Sequence, residues 1–161
     1  MTSLLPRLFI SSRAYLLIRS LLGVLFLYAG IVKLGNLQGF GAVIDDFGLL
    51  PEAWVGPVAV LLPAFELFAA LGLLLDMRGA LAAVVALLLL FIAVLSYGIR
   101  LGLDIDCGCF GPEDPESQAY GSLHNSLLRD IGMMAGAVYL YWWRCTQLTE
   151  QSRQGLFIRK T

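Results

Sequence analysis

Charge is what this sequence has least of: only 14% of its 161 residues are Asp, Glu, Lys or Arg. Soluble domains carry about a quarter, so a soluble enzyme of this size is excluded. The charge that is present nearly cancels, with 11 Lys and Arg against 12 Asp and Glu. That balance leaves no basic surface for nucleic acid and no acidic tail. Histidine occurs once, at His124. A structural zinc site needs four protein ligands, and one imidazole with nearby carboxylates is a poor source of them. Strand-like alternation, internal repeats, low-complexity tracts and linkers are also missing.

Apolar sequence fills the space. Hydrophobic residues make up 58% of the chain and mean hydropathy is +0.78. Four long apolar stretches stand out, at about 14–34, 54–75, 80–100 and 123–143. A hydrocarbon core about 30 Å thick takes roughly 20 helical residues per crossing. Backbone groups in lipid must be satisfied within the segment or in a closed barrel, and runs this long and uniformly apolar suit helices. The expectation is an all-α integral membrane protein, a single domain of four spans in an antiparallel four-helix bundle. The first span is too long for a signal peptide, carries Arg19 and Lys33, and lacks a small-residue cleavage site, so it reads as a retained helix.

The basic residues are unevenly placed. Arg7, Arg13, Arg78, Arg144, Arg153, Arg159 and Lys160 fall on one side of these spans. Lys33 and Arg100 fall on the other, beside Asp45, Asp46, Glu52, Asp104, Asp106, Glu113, Asp114 and Glu116. Positive flanks stay cytoplasmic, so both termini are expected inside an inner (cytoplasmic) membrane. The connections at 35–53 and 101–122 then face the periplasm or exterior, and a tight hairpin at 76–79 faces inward. Within the first outer connection, Phe40, Val43, Ile44 and Phe47 fall at i, i+3, i+4 and i+7 and Pro51 ends the pattern. This spacing predicts a short interfacial helix, resting on the headgroups or acting as a lid over an outer site. Trp54, Trp142 and Trp143 sit at span ends and read as interfacial anchors. Gly132 and Gly136 form a small-xxx-small patch favouring close helix contact.

Two of three cysteines lie together in the outer connection, as Asp106-Cys107-Gly108-Cys109-Phe110-Gly111-Pro112. On an oxidising side a close pair can form and exchange disulfides. The small ring departs from relaxed disulfide geometry, and strained, exposed disulfides exchange readily. So short a loop contributes little as a staple. A redox-active pair is therefore the leading reading. Binding of a soft metal ion by the two thiolates, or inert cysteines, are the alternatives. Cys145 lies at the opposite face and reads as a spectator.

Nearby cations lower a thiol pKa, and Arg100 and Arg129 flank this connection. Either stabilises a thiolate or an anionic acceptor, or else Arg100 snorkels to the headgroups and Arg129 pairs with a carboxylate of another helix. His124 opens the last span as an interfacial residue or as a proton acceptor for a thiol. Ionisable residues inside a bilayer are functional candidates by default, which singles out Arg19 and Glu66. Glu66, just after Pro63, is a structural residue, a proton relay or a quinone contact. Tyr28 and Lys33 are its candidate partners, because Arg19 lies too far away along the membrane normal.

These residues together resemble the DoxX and MauE superfamily of small four-helix membrane proteins. Helix one reads Arg19-x3-Gly23-x2-Phe26-x3-Gly30-x2-Lys33-Leu34 and helix two carries Pro63-x2-Glu66, similar to the DoxX-type pattern. The Cys107-Gly108-Cys109-Phe110-Gly111 loop followed by Arg129 resembles the MauE branch. The resemblance covers nearly the whole chain. It implies thiol chemistry in methylamine utilisation: maturation of a disulfide-rich periplasmic dehydrogenase subunit with a periplasmic thioredoxin-like protein. The chain departs from the branch at Asp130, where a neutral amide is expected. The bundle is also similar to DsbB-type and vitamin K epoxide reductase-type enzymes, which pass electrons from thiols to quinone. Those use two cysteine pairs, whereas this chain has one. The combined expectation is a membrane thiol-disulfide redox protein acting through Cys107 and Cys109 on an extracytoplasmic partner, with quinone as candidate acceptor. A non-enzymatic metal-handling or membrane-anchoring subunit is the competing class.

Overall fold

The computed structural model describes residues 12–103 and 123–158, and every regular element in them is helical. In chain order these are α1 (Ser12–Gly35), α2 (Leu37–Asp46), α3 (Glu52–Leu74), α4 (Ala80–Leu101) and α5 (Leu123–Ile158). Among the described residues, three stretches are long and apolar enough to cross a membrane: Arg13–Gly35, Glu52–Leu74 and Ala80–Arg100. The fourth expected span, 123–143, is helical, but α5 carries Arg129 and Asp130 early and does not reach the same apolarity. Leu16, Leu17, Phe65, Phe68 and Leu75 are more than half exposed, as helices whose outer faces meet lipid require.

One apolar core joins the four long helices. Leu22 and Phe26 from α1 meet Ala70 and Leu73 from α3, Leu81, Val84 and Leu88 from α4, and Ala137 and Leu140 from α5. Small residues decide how closely the helices approach. A Cβ at Gly23 would come within 2.6 Å of the Leu74 side chain. One at Gly30 would lie 2.9 Å from Leu67 and 3.2 Å from the Pro63 carbonyl oxygen. These two glycines, seven residues apart, let α1 lie against α3. At Gly136 a Cβ would meet Ile18 and Leu22 of α1 at an ordinary contact distance of 3.4–3.5 Å, and Gly132 has open space beside it, so neither position of the expected small-residue patch needs a glycine for close approach.

Local chemistry sets the helix ends. Asn36 separates α1 from α2, and its side-chain oxygen accepts the Gly39 N–H at 2.9 Å, satisfying a donor at the helix start. α3 follows Pro51 and has Glu52 in its first turn, where the helix dipole favours negative charge. At its other end the Met77 N–H reaches the Gly72 carbonyl and the Asp76 N–H that of Leu73. This closing motif needs a left-handed residue, and Asp76 supplies it with φ 56°. α4 ends in the same way, with Gly102 (φ 68°) in that place.

The hairpin end is tied by charge. Asp76 receives hydrogen bonds from Tyr15 (3.1 Å) and Arg144, and pairs with Arg19 at 3.0 Å. Arg144 also donates to the Tyr15 hydroxyl, and the Tyr15 ring stacks on Trp143 at 4.2 Å. Trp143 is thus engaged inside the protein, while Trp54 and Trp142 are exposed, as interfacial anchors would be. Burial pushes the Asp76 carboxyl up, but the Tyr15 hydrogen bond and the charges of Arg144 and Arg19 outweigh it, leaving it below its ordinary value. Arg19, expected to lie away from Glu66, is occupied here.

Candidate functional site

The close approach of α1 and α3 at Gly30 and Pro63 brings together the next polar residue on each helix. Lys33, in the last turn of α1, donates to Glu66 Oε1 at 2.5 Å. Both are almost wholly buried, at 3% and 1% side-chain exposure. The Lys33 ammonium also lies 4.6 Å from the Phe91 ring centroid and 5.3 Å from that of Phe40, close enough for the ring faces to attract it. Burying two charges is costly, and attraction repays it only with close geometry and further partners. The pair therefore depends on a well-fitted surround.

From α5, Arg129 and the buried Asp130 complete a group of two cations and two carboxylates. They line, with Lys33, Glu66 and Met133, a small pocket of about 20 Å³, room for about one water molecule. Arg129 reaches Asp130, its neighbour on the same helix, at 3.5 Å. Among the described residues Glu66 Oε2 is buried without a hydrogen-bond partner, so the second carboxylate oxygen is available to whatever enters.

A second chamber lies on the other side of Lys33. It measures about 240 Å³ and is walled by Phe40, Val43, Ile44 and Phe47 with Leu62 of α3 and Phe91, Val94 and Leu95 of α4. Phe40 and Phe47 are 7% exposed, so the apolar stripe of α2 is turned onto the protein and roofs this chamber. The Phe47 ring is held by Gly98, where a Cβ would come within 2.6 Å of Phe47 Cε1. Phe47, Leu95 and Leu123 form a satellite core with Leu103 packed against it.

The other expected site residues are placed as follows. Cys107 and Cys109 lie outside the described residues, in the connection that leaves α4 after Leu103 and returns at Leu123. Arg100, in the last turn of α4, and His124, at the start of α5, are exposed. Cys145 is exposed and follows Arg144 at the hairpin end. Tyr28 is about half exposed, and Lys33 is the partner Glu66 takes. Among the described residues no group of three or more His, Cys, Asp or Glu is placed to hold a metal ion. Sequence reasoning missed Asp130 as a member of the buried group and the phenylalanine-walled chamber. Asp130 was detectable as an acidic residue within an apolar helix.

A family model described as methylamine utilisation protein MauE matches residues 11–143. The chain belongs to the MauE family. Similar relatives are the methylamine utilization protein MauE of Paracoccus denitrificans, 38% identical over 96 residues, covering 58% of this chain and 52% of that one. That of Methylophilus methylotrophus is 38% identical over 115 residues, covering 70% and 59%. The chain thus spans between half and three fifths of the curated relatives it matches. No solved structure matches. The MauE match takes in the Lys33–Glu66 pair, the chamber and the cysteine-bearing connection.

Proposed function

We propose that this protein is a multi-pass inner-membrane thiol-disulfide redox protein whose Cys107 and Cys109 exchange disulfides with an extracytoplasmic partner. In this reading α5 contributes the fourth span of an antiparallel bundle. Both termini and the Asp76 hairpin are cytoplasmic, and the cysteine-bearing connection faces the periplasm. The DoxX-type opening of helix one supports the wider superfamily grouping, since its Gly23, Gly30 and Lys33 are the residues that dock α1 on α3.

The observation that carries the reading is the position of the Cys-Gly-Cys connection in the chain. Its two anchors, Leu103 and Leu123, pack on the Phe47 cluster, at the end of the molecule that holds α2 and away from the Asp76 hairpin. An oxidising compartment on that side makes the pair a disulfide donor or acceptor. In the exchange, thiolate attack breaks one disulfide and forms a mixed one. The second thiol then resolves it, so two electrons and two protons pass between the pairs. Arg100 and Arg129 favour the thiolate, and His124 accepts its proton. The partner is a thioredoxin-like or disulfide-containing periplasmic protein, in a maturation step of the methylamine utilisation type, and a quinone is the electron acceptor.

Thiol trapping tests this. Native membranes are acid-quenched and mass-tagged with and without prior reduction, comparing wild type with Cys107→Ser and Cys109→Ser. An oxidised pair in wild type, and a mixed disulfide accumulating in one single variant, is the expected result. Thiols that stay reduced with no trapped species overturn the exchange mechanism.

A further inference from the structure

We propose that the chamber beneath α2 is a binding site for a neutral, lipid-soluble ring ketone of the quinone class, with one ring carbonyl accepting a hydrogen bond from the Lys33 ammonium. The inference deepens the redox reading by placing the electron acceptor, and rests on that reading for the acceptor's purpose. The binding claim itself stands on the chamber.

Four observations converge. First, the walls are apolar and rich in flat rings, with Phe40, Phe47 and Phe91 around the cavity, which suits a planar guest stacking among them. Second, about 240 Å³ is below the usual range of roughly 300–1,000 Å³ for whole-ligand pockets. It takes a ring and the first atoms of a chain, with the remainder outside. Leu49 and Leu90 on the lining are 44% and 46% exposed, so the chamber opens where an aliphatic tail would lie in lipid.

Third, among the described residues the one polar side chain lining the chamber is Lys33, an ammonium with three donors. One of these is committed to Glu66, and the others are available to an acceptor oxygen. Fourth, the charge on Lys33 is already matched by Glu66 at 2.5 Å, and in the pocket behind it Arg129 stands beside Asp130, so the two cations and two carboxylates are balanced. A carboxylate or phosphate head would bring an unmatched negative charge into a low-dielectric site, which is strongly unfavourable. A neutral carbonyl adds none. Charge thus selects the ketone over a fatty acid or lipid phosphate, and ring stacking selects a quinone over an aliphatic ketone.

The test uses the full chain in nanodiscs and two photoreactive probes of equal tail length, a decyl-substituted benzoquinone and a fatty acid. The quinone is expected to label the segments containing Phe40 to Leu50 and Leu90 to Leu95, and unlabelled quinone to compete while the fatty acid does not. Val94→Trp fills the chamber from the α4 wall, where Val94 packs against the Phe47 cluster, and is expected to weaken quinone binding at least about tenfold. The paired replacement Lys33→Met with Glu66→Leu removes the donor without stranding a charge. It is expected to weaken binding about tenfold, the size of one hydrogen bond from a charged donor.

Labelling spread over the lipid-facing surface, fatty acid displacing the quinone, or affinity unchanged in both variants overturns the site. Binding is measured also in the Cys107→Ser, Cys109→Ser double variant, where it is expected to persist. Loss of quinone binding with thiol exchange intact therefore refutes the site alone. Retained binding with inert thiols supports the site and refutes the redox reading alone.

Discussion

Two ionic clusters tie the helices together, one at the hairpin end and one partway along the helices, and they follow opposite rules. At the hairpin end Asp76 gathers Arg19, Arg144 and Tyr15 with half of its side chain exposed. Within the bundle Lys33 and Glu66 face each other with almost no exposure, flanked by aromatic rings and by Asp130. Exposed ion pairs contribute little because water competes for both partners. Buried pairs are costly to assemble and more costly to break. The first cluster therefore fastens the fold weakly and reversibly. The second commits α1, α3 and α5 to an arrangement that simple apolar packing would achieve at lower cost, which is why it marks the candidate site.

The largest effect expected from breaking this contrast is at Glu66. Glu66→Leu leaves the Lys33 charge buried without its carboxylate and should destabilise the protein by about 3–5 kcal/mol, read by denaturant unfolding in micelles. Adding Lys33→Met should restore most of that loss, and a double variant as unstable as the single one would refute the pairing. Next comes Gly30→Val, whose added carbons meet Leu67 and the Pro63 carbonyl. Prising α1 from α3 should cost about 1–3 kcal/mol and raise the reactivity of Lys33 toward an amine reagent.

Asp76→Asn should cost no more than about 1 kcal/mol, because asparagine tolerates the left-handed backbone and only exposed charge is lost. Its effect should shrink further in high salt, whereas the Glu66→Leu loss should not. The smallest effect is with pH. The Asp76 carboxyl lies below its ordinary value of 3.8 in the folded protein. Its stabilising contribution is therefore fully present above that value and lost as pH falls through the lower, folded one. Because Tyr15 joins Asp76 to Trp143, Trp143 fluorescence in a background lacking Trp54 and Trp142 should change over that acid range. Asp76→Asn should abolish the change.

Much of this contrast is legible in the residues. Long apolar runs identify the helices, and the period of Phe40, Val43, Ile44 and Phe47 identifies α2, because helical periodicity is a local property of the chain. The hairpin at 76–79 is legible for the same reason. The partner of Glu66 is narrowed to Lys33 and Tyr28, but choosing between them depends on how α1 is rotated. That rotation is set by Gly23 and Gly30 meeting Leu74 and Leu67, contacts about 40 to 50 positions away along the chain. Arg129 is identified as a site residue, yet its neighbour Asp130 reads as a departure from a pattern. Only packing shows that it is buried beside Glu66.

The sequence by itself determined that the chain is helical and rich in spanning-length apolar segments. It also determined that polar residues inside those segments deserve scrutiny and that the cysteine pair lies in a long connection, since composition and spacing carry all of these. The tertiary structure decided which charges meet, and that the apolar face of α2 turns inward to roof a chamber with Lys33 at its wall. The physical reason is that pairing and enclosure depend on distances between segments remote in the chain. Those distances are fixed by the fit of small residues against large ones across helix contacts, which no local pattern encodes.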